Sequence, residues 1–386
     1  MNMRVLLLIC SLFIFGKTNS TAAPDNVPDF GRMTYDFKNL NSRQHREIIR
    51  KLDSFYAVEV SKGFNGSVLI GYRGKIMYER YFGYANRAKG IKWSSKTRSQ
   101  LASTSKTFTS AAVLALSDKG LIDVNDKVQQ YIPEFPYRSI TVKMLLNHRS
   151  GLRDYVYAKH AKPRNGKYFD NQDVIDWLVR VQPKQHFNTN TNFKYSNTNF
   201  AVLASVVERV SGMRFKYFVE RFVFKKLGMN NTEIHDPNLL APYNVALSYK
   251  SGRHYKDMYQ DGVYGDKGVY SSVRDLYKWD QALYSNKLLK WTTLKTAFKP
   301  YSFEKRSQRN YGLGWRMIHY PTENMKVVYH NGLWHGNNTC FYRFVNDNFT
   351  IIVLGNNYTS RIYKQPAKIF RLIAPKEKPV LYEDQG

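Results

Sequence analysis

Hydrophobic and polar positions follow two different periods along the chain. From Ser42 to Lys62, the residues Ile48, Ile49, Leu52, Phe55 and Tyr56 recur at helical spacing, which predicts an amphipathic helix. The pattern then changes to two short β-type runs, Gly66–Tyr72 and Lys75–Phe82, around Arg73-Gly74, a hairpin signal. Ser103–Lys119 is rich in Ala and Leu and stops at Gly120, which predicts a helix with a glycine end. The stretch from about 125 to 265 mixes helical patches with Asn- and Pro-rich loops. Its clearest helices are Asp173–Val181 and Asn199–Ser211. In the last third, Gly312–His319, Met325–Tyr329, Asn338–Val345 and Phe349–Leu354 read as successive strands, the last two joined by the tight turn Asn346-Asp347-Asn348. Arg361–Ile373 returns to helix, interrupted early by Pro366. The charged tail from Pro375 is expected to be loose.

Strands thus lie toward both ends and helices between them. The expected class is α/β (α+β): one antiparallel sheet built from both ends, flanked by terminal helices, with an inserted mainly helical domain. The sheet lobe would take residues from about 43–102 and 266–374, and the helical lobe about 103–265. Together they make a single domain over 24–374, followed by a tail over 375–386. The seam between the lobes is the expected pocket.

Composition then narrows the compartment and the partners. The 386 residues carry a formal charge of +29, 43% are hydrophobic and 15% aromatic. That content excludes a disordered chain, and two cysteines exclude a disulfide scaffold. Met1 to about Ala23 reads as a secretory signal, with Arg4, an apolar run of 12 residues over Val5–Gly16, and small residues up to Ala23. The run is shorter than the ~20 residues of a membrane span. Cleavage there would remove Arg4, Lys17 and Cys10, leaving +27 and Cys340 alone. Cys340, on a predicted strand, reads as a buried apolar residue. Export argues against a nucleic-acid partner, and the charge implies salt-sensitive association with an anionic cell envelope. No stable protein partner is implied.

The best helix begins on Ser103-Thr104-Ser105-Lys106. Residues three apart share a helical face, so Lys106 can reach the Ser103 hydroxyl. A serine needs a base to become a nucleophile, and a lysine in a dry, cationic setting can be that base. The helix N-terminus offers N–H groups where an oxyanion would form. The spacing alone is weak. Ser302-Phe303-Glu304-Lys305 matches it too, and the alternative reading of Ser103 is a helix cap beside a solvated lysine.

Leu101–Gly151 closely resembles the serine β-lactamase and penicillin-binding-protein superfamily, in its class C β-lactamase and DD-peptidase branch. The resemblance runs from about Phe64 to about Gly355. It implies an acyl-enzyme on Ser103, with Lys106 as its partner. Ile140–Leu152 matches a family segment in which His148 is read as structural. Tyr195-Ser196-Asn197 matches the family's Tyr-x-Asn element. The family-like run Thr198–Gly212 directly after it selects it over Tyr84-Ala85-Asn86, Tyr284-Ser285-Asn286 and Tyr329-His330-Asn331. Tyr195 would relay the proton to the leaving group, and Asn197 would donate to the substrate amide or ester. His330-Asn331-Gly332 matches the Lys/His-x-Gly element, in preference to Lys250-Ser251-Gly252. His330 would supply a cation or donor, Gly332 would let substrate approach the strand, and the N–H groups of Ser103 and Leu333 would form the oxyanion hole.

Asn331 and Leu333 stand where the family usually carries hydroxyl residues that help hold a substrate carboxylate. Trp334 and His335 are expected at the pocket mouth. The resemblance therefore implies an exported serine hydrolase without metal or organic cofactor. Its substrate is a D-amino-acid peptide or β-lactam, with a carboxylic ester as the alternative. A non-catalytic envelope-binding homologue is the lesser reading.

Overall fold

The computed structural model describes residues 42–158, 163, 167–239, 243–304, 308–320 and 325–374. The stretch over 1–23 that reads as a secretory signal, Cys10, Lys305 and the tail over 375–386 lie outside the described residues.

The chain enters on helix α1 (Ser42–Ser61), whose buried residues Ile48, Leu52 and Tyr56 sit on one face. Strands β1 (Gly66–Tyr72) and β2 (Lys75–Phe82) come next as a hairpin. Its turn residues Arg73 and Gly74 both have positive φ, 46° and 81°, as the tightest hairpin turns require. The other strands of this seven-stranded sheet come from the C-terminal third: β3 (Arg309–Tyr311), β4 (Arg316–Tyr320), β5 (Met325–Trp334), β6 (Asn337–Phe344) and β7 (Phe349–Gly355). All pairings are antiparallel, in the order β3-β4-β5-β6-β7-β1-β2. The two ends of the chain therefore meet at the β1–β7 pair.

Side chains alternate across this sheet, so each strand serves two cores. Val68, Ile70, Val327, Tyr329, Cys340, Tyr342, Ile351 and Val353 face α1 and the last helix, α9 (Gln365–Ile373). Leu69, Val328, Phe341, Ile352 and Leu354 face the opposite way, into the core shared with the helical region. Each such side chain contributes roughly 1.5–3 kcal/mol by leaving water. Cys340 is buried on the α1/α9 side, as an apolar residue would be.

Between the two groups of strands lie α2 (Lys106–Ser117), α3 (Val142–Leu146), α4 (Asn171–Val181), α5 (Asn197–Ser211), α6 (Phe215–Val219), α7 (Val273–Ala282) and α8 (Trp291–Ala297). The C-terminal α9 (Gln365–Ile373) comes after a 3₁₀ turn over Arg361–Lys364, with Pro366 in its first turn, where no N–H is needed. Helix α2 is central and almost wholly buried. Its hydroxyls pin neighbouring segments: Thr109 donates to the Gly265 carbonyl at 2.7 Å and Ser110 to the Leu313 carbonyl at 2.6 Å.

Three departures from the pattern reading affect the site. Helix α2 does not start at Ser103: a 3₁₀ turn, Ala102–Ser105, precedes it. Gly312–Trp315 is a bend between β3 and β4, with Gly314 at φ 83°. Strand β5 runs on past Tyr329 to Trp334, so His330, Asn331 and Gly332 lie within it.

Candidate active site

Ser103 sits in the 3₁₀ turn at the N-terminus of α2, and the turn is held from both sides. The Leu101 N–H donates to the Val269 carbonyl at 2.8 Å, and the Val269 N–H donates to Ser105 Oγ at 3.2 Å. Thr104 Oγ1 donates to the His330 carbonyl of β5 at 3.2 Å. Ala102 adopts φ 48°, a left-handed conformation that costs a non-glycine residue about 1–3 kcal/mol and is kept only where the surroundings enforce it.

Lys106 is fully buried, and three oxygens surround its Nζ. They are Ser103 Oγ at 3.1 Å, Asn197 Oδ1 at 2.8 Å and the Asp266 carbonyl at 2.8 Å. Asn197 is the first residue of α5. Its N–H and its Nδ2 both donate to Asp154 Oδ2 at 2.9 Å, which fixes the amide. One of its two side-chain N–H groups is therefore spent on Asp154, and its oxygen on Lys106. Burial raises the Asp154 carboxyl above its ordinary range, against hydrogen bonds from Asn197 and Val156.

The Tyr195 ring lies with Lys106 Nζ 4.9 Å and the Arg316 guanidinium carbon 5.2 Å from its centroid. The His148 ring packs on it at 4.3 Å. The Tyr195 hydroxyl is buried and has no hydrogen-bond partner among the described residues.

Behind the phenol runs a chain of neutral groups. His148 Nδ1 accepts from the Ser196 N–H at 3.2 Å and from Asn199 Nδ2 at 3.0 Å, so its proton is on Nε2. That Nε2 faces the Tyr311 hydroxyl at 3.2 Å, which faces His330 Nε2 at 3.2 Å. His330 Nδ1 donates to the Asn331 carbonyl at 2.7 Å. Both histidines are fully buried. For His148, burial, then Lys106 and Arg316, push its pKa well below 6.5. For His330, burial, then Arg316 and Lys106, outweigh the raising effect of the Asn331 hydrogen bond.

These positions correct several expectations. His330 does not supply a cation: its ring is neutral, enclosed and turned to Tyr311 rather than to solvent. Asn331 does not line the cleft. Its side chain lies on the α1/α9 face of β5, where Nδ2 donates to the Tyr342 hydroxyl at 3.2 Å, because strand side chains alternate. Gly332 serves the protein before any substrate: a Cβ there would lie 2.1 Å from the Leu101 carbonyl oxygen. Leu333 comes next, with its side chain 44% exposed. His335 does not open into the mouth, and half-buried Trp334 is tied with it to the Asp261 carboxylate. Trp334 Nε1 donates to Asp261 Oδ1 at 2.6 Å, and His335, at φ 54°, is buried with Nε2 2.8 Å from Asp261 Oδ2. The competing Lys250-Ser251-Gly252 forms the tip of a small hairpin, with Ser251 and Gly252 at positive φ.

Asp257, Asp261 and His335 bring ligand-type atoms within 4.8 Å of one another. Both Asp261 oxygens already accept hydrogen bonds, so the cluster acts as a clasp on the end of β5.

Arg316, Asp154, Asp266 and Tyr311 are site neighbours that the motif reading passed over. Arg316 and Tyr311 also line a cavity of about 300 Å³, with Phe193, Arg309 and Tyr329. A second hollow, of about 460 Å³, reaches Tyr195 past Arg153, Trp177, His186 and Lys194.

Residues 58–368 match the family model described as Beta-lactamase. The chain is 32% identical to Penicillin-binding protein 4* of Bacillus subtilis (strain 168) over 341 residues, 84% of this chain and 74% of the relative. Its fold is shared with an octameric penicillin-binding protein homologue from Pyrococcus abyssi (TM-score 0.74, 22% identity, covering 87% of this chain and 79% of the other). It is also shared with a D-amino acid amidase from Ochrobactrum anthropi SV3 (TM-score 0.69, 20% identity, covering 86% and 98%). The chain belongs to the beta-lactamase family of serine hydrolases, which includes the penicillin-binding proteins.

Proposed function

We propose that the protein is an exported hydrolase working through an acyl-enzyme on Ser103, with D-amino-acid peptides, and β-lactam rings by the same chemistry, as substrates. The arrangement at Lys106 Nζ carries this reading. A neutral amine has two N–H groups and one lone pair. Asn197 Oδ1 and the Asp266 carbonyl can only accept, so they take the two N–H groups. In that form the lone pair is left to Ser103 Oγ, 3.1 Å away, whose hydroxyl can either accept from Lys106 or turn its hydrogen to the amine.

Ser103 Oγ then attacks the substrate carbonyl carbon while its proton passes to Lys106. The carbonyl electron pair moves to oxygen, where the N–H groups of Ser103 and Leu333 stabilise it. Collapse expels the amine, which takes its proton from Tyr195, and Tyr195 recovers one from Lys106. The unpartnered Tyr195 hydroxyl supports this relay, since its hydrogen-bonding capacity is uncommitted among the described residues. Water repeats the sequence in reverse and frees Ser103.

Two observations support the peptide and β-lactam class. The relative at 32% identity is named as penicillin-binding. Arg316, beside Tyr195, offers a substrate carboxylate the guanidinium that Leu333 cannot replace. The second reading, a carboxylic esterase, rests on Leu333 standing directly after Gly332, where it supplies no hydroxyl for a substrate carboxylate.

Export rests on the Met1–Ala23 segment. Among the described residues no helix is long and apolar enough to cross a membrane. The charge of +27 left after removal of Arg4 and Lys17 supports loose, salt-sensitive binding to an anionic envelope. A panel of fluorescent penicillin, chromogenic cephalosporin, D-alanyl-D-alanine peptide and p-nitrophenyl ester tests the substrate class. Labelling by penicillin with peptide cleavage supports the first reading. Ester turnover without either supports the second. Binding to envelope fractions that did not fall with salt would remove the association.

A further inference from the structure

A second lysine, Lys267, lies directly behind the first, and nothing in the proposed reaction uses it. It is 2% exposed. Its Nζ donates to the Tyr155 hydroxyl at 2.5 Å, the Val263 carbonyl at 3.3 Å and Asp266 Oδ2 at 3.5 Å. The Trp334 ring, on the strand that carries Gly332, closes over it with its centroid 4.9 Å away.

The hydrogen-bond inventory separates the two lysines. The Tyr155 hydroxyl already donates to Asp266 Oδ2 at 2.9 Å, so it can only accept from Lys267. Lys267 therefore faces three acceptors, which requires the three N–H groups of an ammonium. Lys106 faces two obligate acceptors and one hydroxyl that can donate or accept, so its partners do not require a charge on it. Asp266 joins them: its carbonyl holds Lys106 and its carboxylate holds Lys267. The other carboxylate oxygen, Oδ1, is buried and has no hydrogen-bond partner among the described residues. Among those residues, the only cation bonded to the buried carboxylate is thus Lys267.

We propose that Lys267 is a positioning residue for the Ser103 reaction: its buried ammonium neutralises Asp266, aims the Asp266 carbonyl at Lys106, and keeps Lys106 in the amine form. This rests on the reading of Lys106 as the base for Ser103. Without Lys267, the Asp266 carboxylate would stand uncompensated beside Lys106 and favour a second ammonium there. The groups facing Lys267 are Asp266, Tyr155, Asp261 and Lys106. Asp154 stands beside Tyr155, and His335 is bonded to Asp261. Burial holds Lys267 below the ordinary lysine value; Asp266 and Asp261 oppose this and Lys106 adds to it.

The test compares Lys267→Met, Asp266→Asn and the double variant by two readouts. One is the pH profile of Ser103-dependent ester turnover. The other is the titration of Lys106 followed by ¹³C at its Cε, assigned by loss of the signal in Lys106→Arg. Lys267→Met should move the acid limb and the Lys106 titration to higher pH by about one unit or more. Asp266→Asn should move both to lower pH, and the double variant should return near the wild type. Asp266→Asn keeps the test decisive if Lys267→Met does not fold. Unmoved limbs in folded variants would overturn the inference and leave the Ser103 reading standing. Turnover that survives Ser103→Ala would overturn that reading first, whatever the lysines do.

Discussion

Gly332 on β5 and Leu101 before the nucleophile are packed backbone against backbone. A Cβ on Gly332 would come within 2.1 Å of the Leu101 carbonyl oxygen and 3.2 Å of Ala102 Cβ. The strand thus sets the position of the turn that presents Ser103, and glycine is demanded by the protein itself. Gly332→Ala should therefore displace the turn. We expect a loss of more than about 100-fold in kcat/KM and a destabilisation of roughly 1–3 kcal/mol, the usual range for overpacking. Urea denaturation and ester turnover on the same preparation check both.

Tyr195 offers the opposite separation of activity from stability. Its hydroxyl is buried without a partner among the described residues, so Tyr195→Phe removes no hydrogen bond seen in the fold. Stability should stay level or rise by up to about 1 kcal/mol. Turnover should fall by about 10²–10⁴-fold, as expected when a positioned proton carrier is lost. Thermal melting beside single-turnover kinetics measures the two effects.

Arg316 should discriminate between substrates. It flanks Tyr195 and lines the cavity of about 300 Å³. Arg316→Gln should raise KM for substrates with a carboxylate near the scissile bond by about 10-fold or more, since a charge-assisted contact is worth about 1.5–3 kcal/mol. Neutral p-nitrophenyl esters should be affected far less. Equal losses on both would assign Arg316 to holding Tyr195 in place.

The neutral histidines predict a pH dependence of folding. Their folded pKa values lie well below 6.5, with burial as the leading cause. In the unfolded chain both take a proton near pH 6.5, and in the folded chain they do not. Stability is therefore fully present above pH 6.5 and is lost as pH falls below it. The slope is up to ~1.4 kcal/mol per pH unit for each histidine. Denaturant titrations from pH 7.5 to 5 should show this slope, and His330→Asn should reduce it by about half.

The residues differ in how far the sequence disclosed them. Ser103 and Lys106 are legible from the i, i+3 spacing taken together with the resemblance of Leu101–Gly151, and the structure brings their side chains to 3.1 Å across a 3₁₀ turn. The antiparallel sheet and Cys340's burial are legible from alternation. Asn331 is misplaced when the His-x-Gly element is taken to come after a strand. Inside β5, alternation sends its side chain to the far face. The third oxygen around Lys106 cannot be read at all, since it is a main-chain carbonyl and any residue carries one. Arg316 falls in Gly312–His319, which reads only as a strand, and Tyr311 stands just before it. Their place beside the site comes from β3 pairing with β4 and β4 with β5, with Arg316 opposite both Tyr311 and Tyr329, a non-local register that no local pattern states.

Mass spectrometry of the protein after brief exposure to penicillin and to an activated ester tests the central claim most directly. The account predicts one acyl group per chain, on the peptide that contains Ser103, and none in Ser103→Ala. An adduct on another residue, or hydrolysis that persists in Ser103→Ala, would contradict it.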